Sequence, residues 1–186
     1  MWAGEDRPAP NPRKLAVELQ SRGDERGYFM RTYDEAIFAE HGLPTHWVQM
    51  NESLSANTGT IRGLHFQRPP HTEAKLVRCT QGALLDVFVD LRQGSPTYGQ
   101  WDSVELRADR RNAVLVPRGC AHGFCSLQAN SVVNYMVDNF YTPAAEEGVR
   151  WNDPALGIRW RLEVQPTISA KDAAWPLFKD VAPVEL

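Results

Sequence analysis

The feature that most constrains this chain is its punctuation. From Lys14 onward, short apolar runs are broken by Gly, Pro, Asp and Asn at roughly ten-residue intervals, too close together for long helices and matched to a barrel or sandwich of short strands. The runs fall at 15–19, 28–33, 47–54, 60–66, 74–80, 83–91, 101–106, 113–117, 123–127, 131–137 and 158–164. Several alternate: in 101–106, Val104 and Leu106 point one way and Ser103 and Glu105 the other. Two helices are predicted. One spans 34–41, with Ile37, Phe38 and His41 on one side and Gly42 as its terminator; a second, short one begins near 169–172. With no repeat and no linker, residues 14–186 read as one all-β domain, an antiparallel jelly-roll barrel or sandwich with a few short helices and an open mouth for a ligand. Residues 1–13, with three prolines, read as a flexible arm.

Composition removes several function classes. A net charge of −3 and the lack of any Lys/Arg cluster beyond short pairs argue against a nucleic-acid partner. The longest apolar stretch, 83–91, is interrupted by Asp86 and Asp90 and is too short to span a bilayer. The N-terminal MWAGEDRPAPNPRK lacks the apolar centre of a signal peptide. Three cysteines, Cys79, Cys120 and Cys125, with no C-x-x-C spacing fit a reducing cytoplasm.

Four stretches carry groups able to do chemistry. The densest, GTIRGLHFQ (59–67) followed by PPHTEAK (69–75), brings Arg62, His65, His71, Glu73 and Lys75 close together. Strict alternation places His65 on the face of Ile61 and Gly63 and turns Arg62 away, unless Gly63 hosts a bulge that re-aims one of them. In PRGCAH (117–122) the spacing P-x-G-x-x-H resembles the second half-motif of cupin barrels, which aims a His into the barrel. The first cupin half-motif supplies H-x-H; here it reads His65-Phe-Gln67, one imidazole short. His71 and Glu73 are placed by Pro69-Pro70 on a turn, so a metal site built on His65, His71, Glu73 and His122 is disfavoured and no metal is expected. Tyr135 shares a face with Val133 and Val137, a position that suits a core aromatic with its hydroxyl at the rim as well as a cavity residue. SAKD (169–172) is a helix-capping pattern; the alternative is that Asp172 orients a distant His while Lys171 offers charge to a phosphate.

Together these stretches resemble the dTDP-4-dehydrorhamnose 3,5-epimerase family. The matching segments are GDERGYF (23–29), IRGLHFQ (61–67), PPH…KLVR (69–78), SPTYGQW (95–101), VPRGCAHGF (116–124), Tyr135 with Tyr141, GVRWNDPALGIRW (148–160) and ISAKD (168–172). The resemblance implies a homodimer of jelly-roll barrels, needing no cofactor, that acts on a deoxythymidine-diphosphate 4-keto-6-deoxy sugar, with part of each nucleotide site supplied by the partner's N-terminal region. It implies His65 as the proton-abstracting base, Asp172 as its orienting carboxylate, Tyr135 as the acid on the opposite face and Lys75 near the keto oxygen. Arg26, Arg31, Gln49, Asn51, Arg62, His122, Tyr141, Glu146 and Lys171 fall at substrate-binding positions. Two of the positions depart from the pattern: Arg31 and Met50 stand where the family commonly has Glu and Asp, a change of three charge units in the positive direction.

The chemistry asks for these residue types on its own account. A carbonyl at carbon 4 acidifies the hydrogens on carbons 3 and 5, and inversion needs a base on one face and an acid on the other. A neutral His serves near pH 7, with a carboxylate on its second nitrogen to fix the tautomer. A Lys ammonium stabilises the developing enolate, and Tyr stays protonated until it donates. Neither metal nor nicotinamide is required, and the chain has no G-x-G-x-x-G. A single-carbon epimerase on a related sugar needs the same residues, so the sequence leaves both open. A non-catalytic sugar-nucleotide-binding module is expected to lose His65 or Tyr135, and both are kept.

Overall fold

A computed structural model describes residues 15–186; the arm expected at 1–13 lies outside them. In chain order the elements are β1 (Leu15–Glu18), β2 (Ser21–Asp24), β3 (Gly27–Met30), α1 (Glu35–Glu40), β4 (Gln49–Ser55), β5 (Ile61–Gln67), β6 (Lys75–Gln81) and β7 (Ala83–Asp90). Then follow β8 (Trp101–Arg107), β9 (Asn112–Val116), β10 (Cys120–Ser126), β11 (Ser131–Val137), β12 (Glu146–Gly148) and α2 (Ala170–Ala173). Two five-stranded sheets, ordered β1-β9-β6-β11-β4 and β12-β5-β10-β7-β8, pair antiparallel throughout. They form the expected jelly-roll sandwich. The β2–β3 hairpin stands apart as its own small sheet.

Three apolar layers hold this arrangement, and strand periodicity assigns each residue to its layer. Between the sheets lie Val77, Cys79, Leu84, Phe88, Val104, Leu106, Val114, Val116, Phe124 and Val133. On the outer face of the first sheet, Leu19 and Phe38 cover Val17, Leu76, Ala113 and Leu115. The outer face of the second carries Ile61, Leu64, Phe66, Leu85, Val87 and Val89 under Val149, Leu156, Trp160, Val181 and Val184 from the C-terminal segment. β7 is therefore buried on both faces along its whole length, which is why its sequence is an almost unbroken apolar run.

Helix α1 forms where expected. Asp34 caps it by accepting from the Ala36 and Ile37 amides, but only Phe38 is buried, and His41 is an exposed C-cap. Strand β10 begins at Cys120, three residues before the expected start. β2 and β12, short and polar, carry no apolar alternation and were not foreseen. The strand expected at 158–164 does not form. Its alternation is real, with Ile158, Trp160 and Leu162 packed on the outer cluster. That segment lies across a sheet face rather than beside an edge, and Arg161 turns out of extended geometry at φ 53°.

Candidate active site

The site is assembled by an irregularity in β5. His65 pairs with His122 and Arg62 with Phe124, so three steps on β5 oppose two on β10, and β5 carries one extra residue. Gly63, at φ +122°, sits in the bulge; a side chain there would bring a Cβ to 2.6 Å from Gly123 Cα and 2.8 Å from the His122 carbonyl. Only glycine fits. The bulge changes the facing of everything before it. Ile61 joins Leu64 and Phe66 on the outer core, while Arg62 and His65 open onto one cleft. This corrects the expectation that His65 shares the face of Ile61, and uses the exception that Gly63 allowed.

The cleft has two lobes, of about 550 and 320 Å³, which meet at His65, Lys75 and Tyr135. His65, on β5, belongs to the second sheet, whereas Lys75 on β6 and Tyr135 on β11 belong to the first. His65 Nε2 lies 2.7 Å from Asp172 Oδ1, and the other carboxylate oxygen accepts the Gly63 amide at 3.2 Å. Burial pushes the Asp172 carboxyl up, but the hydrogen bond and charge of His65 and the Gly63 amide outweigh it, and its pKa is lowered. An ionised Asp172 only accepts, so Nε2–H donates to it and Nδ1 is left as the basic nitrogen. Asp172 is delivered by α2, whose N-cap Ser169 accepts the Asp172 amide at 3.0 Å. The cap and the orienting carboxylate are thus both present in one tetrad, Ser169 taking the first task and the Asp172 side chain the second. Behind the imidazole, Trp175 meets His65 edge-on, with ring centroids 6.2 Å apart, and packs where a Cβ on Gly148 would clash.

Lys75 is nearly enclosed and pairs with Glu73 at 3.0 Å. The Tyr135 hydroxyl makes no hydrogen bond among the described residues. His122, beside His65 on β10, lines the larger lobe and bonds through Nε2 to Asp86 Oδ2 at 2.8 Å. Asp86 is fully buried, and its Oδ1 has no partner. Lys171 and Arg62 also line the larger lobe; Gln49, Asn51, Tyr141 and Glu146 line the smaller. Glu146 Oε2 receives both the Tyr141 hydroxyl and Lys171 Nζ at 2.6 Å. Its partial burial would raise its pKa, but these two bonds and the Lys171 charge lower it. The Glu146 carboxylate in turn raises Lys171 and Tyr141.

Two of the expected substrate residues lie elsewhere. Arg26, on the β2–β3 turn, pairs with Asp24, and Arg31 pairs with Asp34 at 2.7 Å; neither lines a lobe. Met50 points to the outside of β4 and is 66% exposed, between the inward Gln49 and Asn51. Among the described residues no three His, Cys, Asp or Glu side chains gather in a way that could hold a metal ion. His71 is turned to Thr142. Sequence reasoning passed over Gln67, Asp86 and Trp175 as site residues and weighed Glu73 only as a metal ligand. The two acids interrupting the 83–91 run were the available signal for Asp86.

Comparison with known proteins agrees with this geometry. Residues 12–180 match the sequence model of the dTDP-4-dehydrorhamnose 3,5-epimerase family. The chain is 48% identical over 154 residues to the dTDP-4-dehydrorhamnose 3,5-epimerase of Sinorhizobium fredii, covering 83% of this chain and 79% of that one. It superposes with a TM-score of 0.86 on the Bacillus anthracis dTDP-4-dehydrorhamnose 3,5-epimerase crystallised with TDP and PPi, at 43% identity, covering 89% and 94% of the two chains. The dTDP-6-deoxy-D-glucose-3,5-epimerase of Legionella pneumophila, solved with dTDP-4-keto-L-rhamnose, gives a TM-score of 0.89 at 36% identity, covering 95% and 96%. A histidine–aspartate pair facing a tyrosine and a lysine across a jelly-roll cleft, carried on a sequence that matches the family model over residues 12–180, makes this chain a member of the dTDP-4-dehydrorhamnose 3,5-epimerase family.

Proposed function

We propose that the protein converts dTDP-4-dehydro-6-deoxy-D-glucose to dTDP-4-dehydro-L-rhamnose by inverting carbons 3 and 5, with no metal or cofactor. The observation that carries this reading is the division of the acid–base pair between facing sheets: His65 on β5 and Tyr135 on β11 line the same cleft. Removal of a proton from one face of the sugar and return from the other requires that division. His65 takes the proton on Nδ1, and Asp172 stabilises the imidazolium that results. Lys75 meets the negative charge that develops on the 4-keto oxygen, and Tyr135 donates to the opposite face. Arg62 and Lys171 supply positive charge for the diphosphate at the rim of the larger lobe, with His122 against the sugar. Gln49, Asn51, Tyr141 and Glu146 frame the smaller lobe.

The working unit in this reading is a homodimer in the cytoplasm. β4 is an edge strand, and Tyr28, Phe29, Met50 and Leu54 are exposed on the hairpin and on this strand, surface that a second copy would cover. Arg26 and Arg31, which line neither lobe of their own chain's cleft, would serve the partner's nucleotide site. No helix among the described residues is long and apolar enough to cross a membrane.

The test is incubation with dTDP-4-keto-6-deoxy-D-glucose in heavy water after exhaustive chelation, followed by proton NMR of the sugar. Deuterium at carbons 3 and 5 is the expected result. Deuterium at one carbon alone would make the protein a single-site epimerase, and none at either would remove the assignment.

A further inference from the structure

Lys75 lines both lobes of the cleft, yet nothing in a lysine side chain fixes where its ammonium points. Four rotatable bonds carry roughly 2 kcal/mol of rotamer entropy, and a compact charge has no preferred plane. The structure supplies the missing constraint from outside the strand. Glu73, two residues before Lys75 on the loop into β6, turns its carboxylate into the smaller lobe and places Oε1 3.0 Å from Lys75 Nζ. Both side chains are close to enclosed, at 10% and 11% exposed. Glu73 is itself held, because its Oε2 accepts from Gln67 Nε2 at 3.0 Å.

Gln67 is only 3% exposed and has one permitted orientation. Its Oε1 accepts the Thr142 amide at 2.6 Å, so that end must be the carbonyl. Its Nε2 faces acceptors alone: the His71 and Phe140 carbonyls at 3.0 and 3.2 Å, and Glu73. A continuous chain of donors and acceptors therefore runs from the Thr142 backbone through Gln67 and Glu73 to the ammonium. One N–H of Lys75 is committed to Glu73, and two remain for a ligand.

We propose that Glu73, locked in place by Gln67, is a positioning residue that holds the Lys75 ammonium aimed at the 4-keto oxygen of the substrate. The proposal rests on the epimerase reading above. A carboxylate beside a developing enolate is in itself unfavourable, so its benefit must reach the reaction through Lys75. The other titratable groups facing this lobe are His65, Tyr135, Tyr141 and Glu146, and none of them pairs with Lys75 among the described residues.

The experiment is a double-mutant cycle of Glu73→Gln and Lys75→Gln, with kcat and KM measured on dTDP-4-keto-6-deoxy-D-glucose and deuterium exchange followed in parallel. Glu73→Gln is expected to lower kcat about 10–100-fold, the usual cost of losing a partner behind a working group, with KM within about threefold. Lys75→Gln is expected to lower kcat about 10²–10³-fold. The double variant should be no worse than Lys75→Gln alone, because Glu73 then has nothing to position. Losses that multiply in the double variant, or a near-normal kcat in Glu73→Gln, overturn the proposal. If Glu73→Gln lowers the thermal midpoint by more than about 10 °C, equivalent to several kcal/mol in a chain of this size, Glu73→Asp replaces it. The shorter acid keeps the charge but withdraws it from Nζ, and an intermediate kcat with unchanged KM is then expected; a normal kcat refutes positioning. If the unaltered protein exchanges no deuterium at all, the epimerase reading fails, and the proposal fails with it rather than through Glu73.

Discussion

Two histidine–aspartate pairs have their imidazoles at directly opposed positions on neighbouring strands of one sheet, and their separations are nearly equal at 2.7 and 2.8 Å. They are built for different tasks. In the His65–Asp172 pair the imidazole is 31% exposed, and both carboxylate oxygens are occupied, one by the ring and one by the Gly63 amide. The carboxylate is thus stable as an anion before any substrate arrives, and the imidazole can gain a proton without leaving a buried charge unmatched. In the His122–Asp86 pair the imidazole is 8% exposed, the carboxylate is fully enclosed, and one of its oxygens has no partner. Each member of that pair depends on the other. The first pair is arranged to change its charge and the second to keep its arrangement. Hydrogen bonds beyond the pair, rather than the pair itself, make the difference.

The largest expected effect tests the first half of this contrast. His65→Asn should lower turnover by at least about 10³-fold, towards the upper range for losing a general base, while the thermal midpoint moves by only a few degrees. Near-normal turnover in the exchange assay would transfer the base elsewhere. Tyr135→Phe should cost inversion about 10²-fold or more but spare proton abstraction in comparison, so that deuterium exchange outlasts product formation. Equal loss of both would show that Tyr135 is not the returning acid.

The second half predicts a stability effect. His122→Ala strands Asp86 and should cost about 3–5 kcal/mol, read as a midpoint lower by about 6–20 °C. Adding Asp86→Leu should recover most of it, since an apolar pair needs no compensation. Should His122→Ala prove as stable as the parent, the second pair is not the mutually dependent unit described here. The smallest effect concerns a third enclosed carboxylate, Asp90, which has every bond that Asp86 lacks. It accepts from the Arg92 amide and guanidinium and from the hydroxyls of Ser95 and Thr97. Burial pushes its pKa up, yet these bonds bring it down to about 2. Its native value lies below the unfolded one, so its contribution is present above the ordinary carboxylate range and lost as pH falls through about 2. Asp90→Asn should therefore cost about 2 kcal/mol near neutrality, and the gap to the parent in chemical denaturation should close between about pH 4 and pH 2.

Much of this was legible in the sequence, and where it was not the reason is physical. The strands buried on one or both faces were read from apolar periodicity, because period and burial are the same signal. Ile158, Trp160 and Leu162 carried that signal without a partner edge, so the reading produced a strand where the chain only lies flat against a sheet. β2 and β12 carried no such signal and were missed. His65, Tyr135, Lys75 and Asp172 were identified as a set through the family resemblance; from the residues alone, Asp172 was as good a helix cap, and the fold uses that tetrad for both purposes. Glu73 and Asp86 escaped because their roles lie in which side chain they touch across the sheets, and Cα spacing along one strand does not encode that. Their partners, Lys75 and His122, stood out because of their positions in recurring motifs.

The extra residue in β5 has a consequence for how the chain tolerates change. A strand is a parity device: an even step between two positions preserves facing and an odd step reverses it. Arg62 and His65 are an odd step apart, and they share the cleft only because the bulge at Gly63 adds one to the count. A conservative replacement of almost any neighbour leaves that parity intact. Flattening the bulge into a regular ladder with β10 while keeping every residue would turn Arg62 into the outer core and Ile61 out of it, whereas deleting the extra residue along with the bulge would leave Arg62 facing the cleft. In this strand the hazard to function lies in a change of parity more than in the identity of the neighbours, and a one-residue insertion, or loss of the bulge at constant length, would take the site apart.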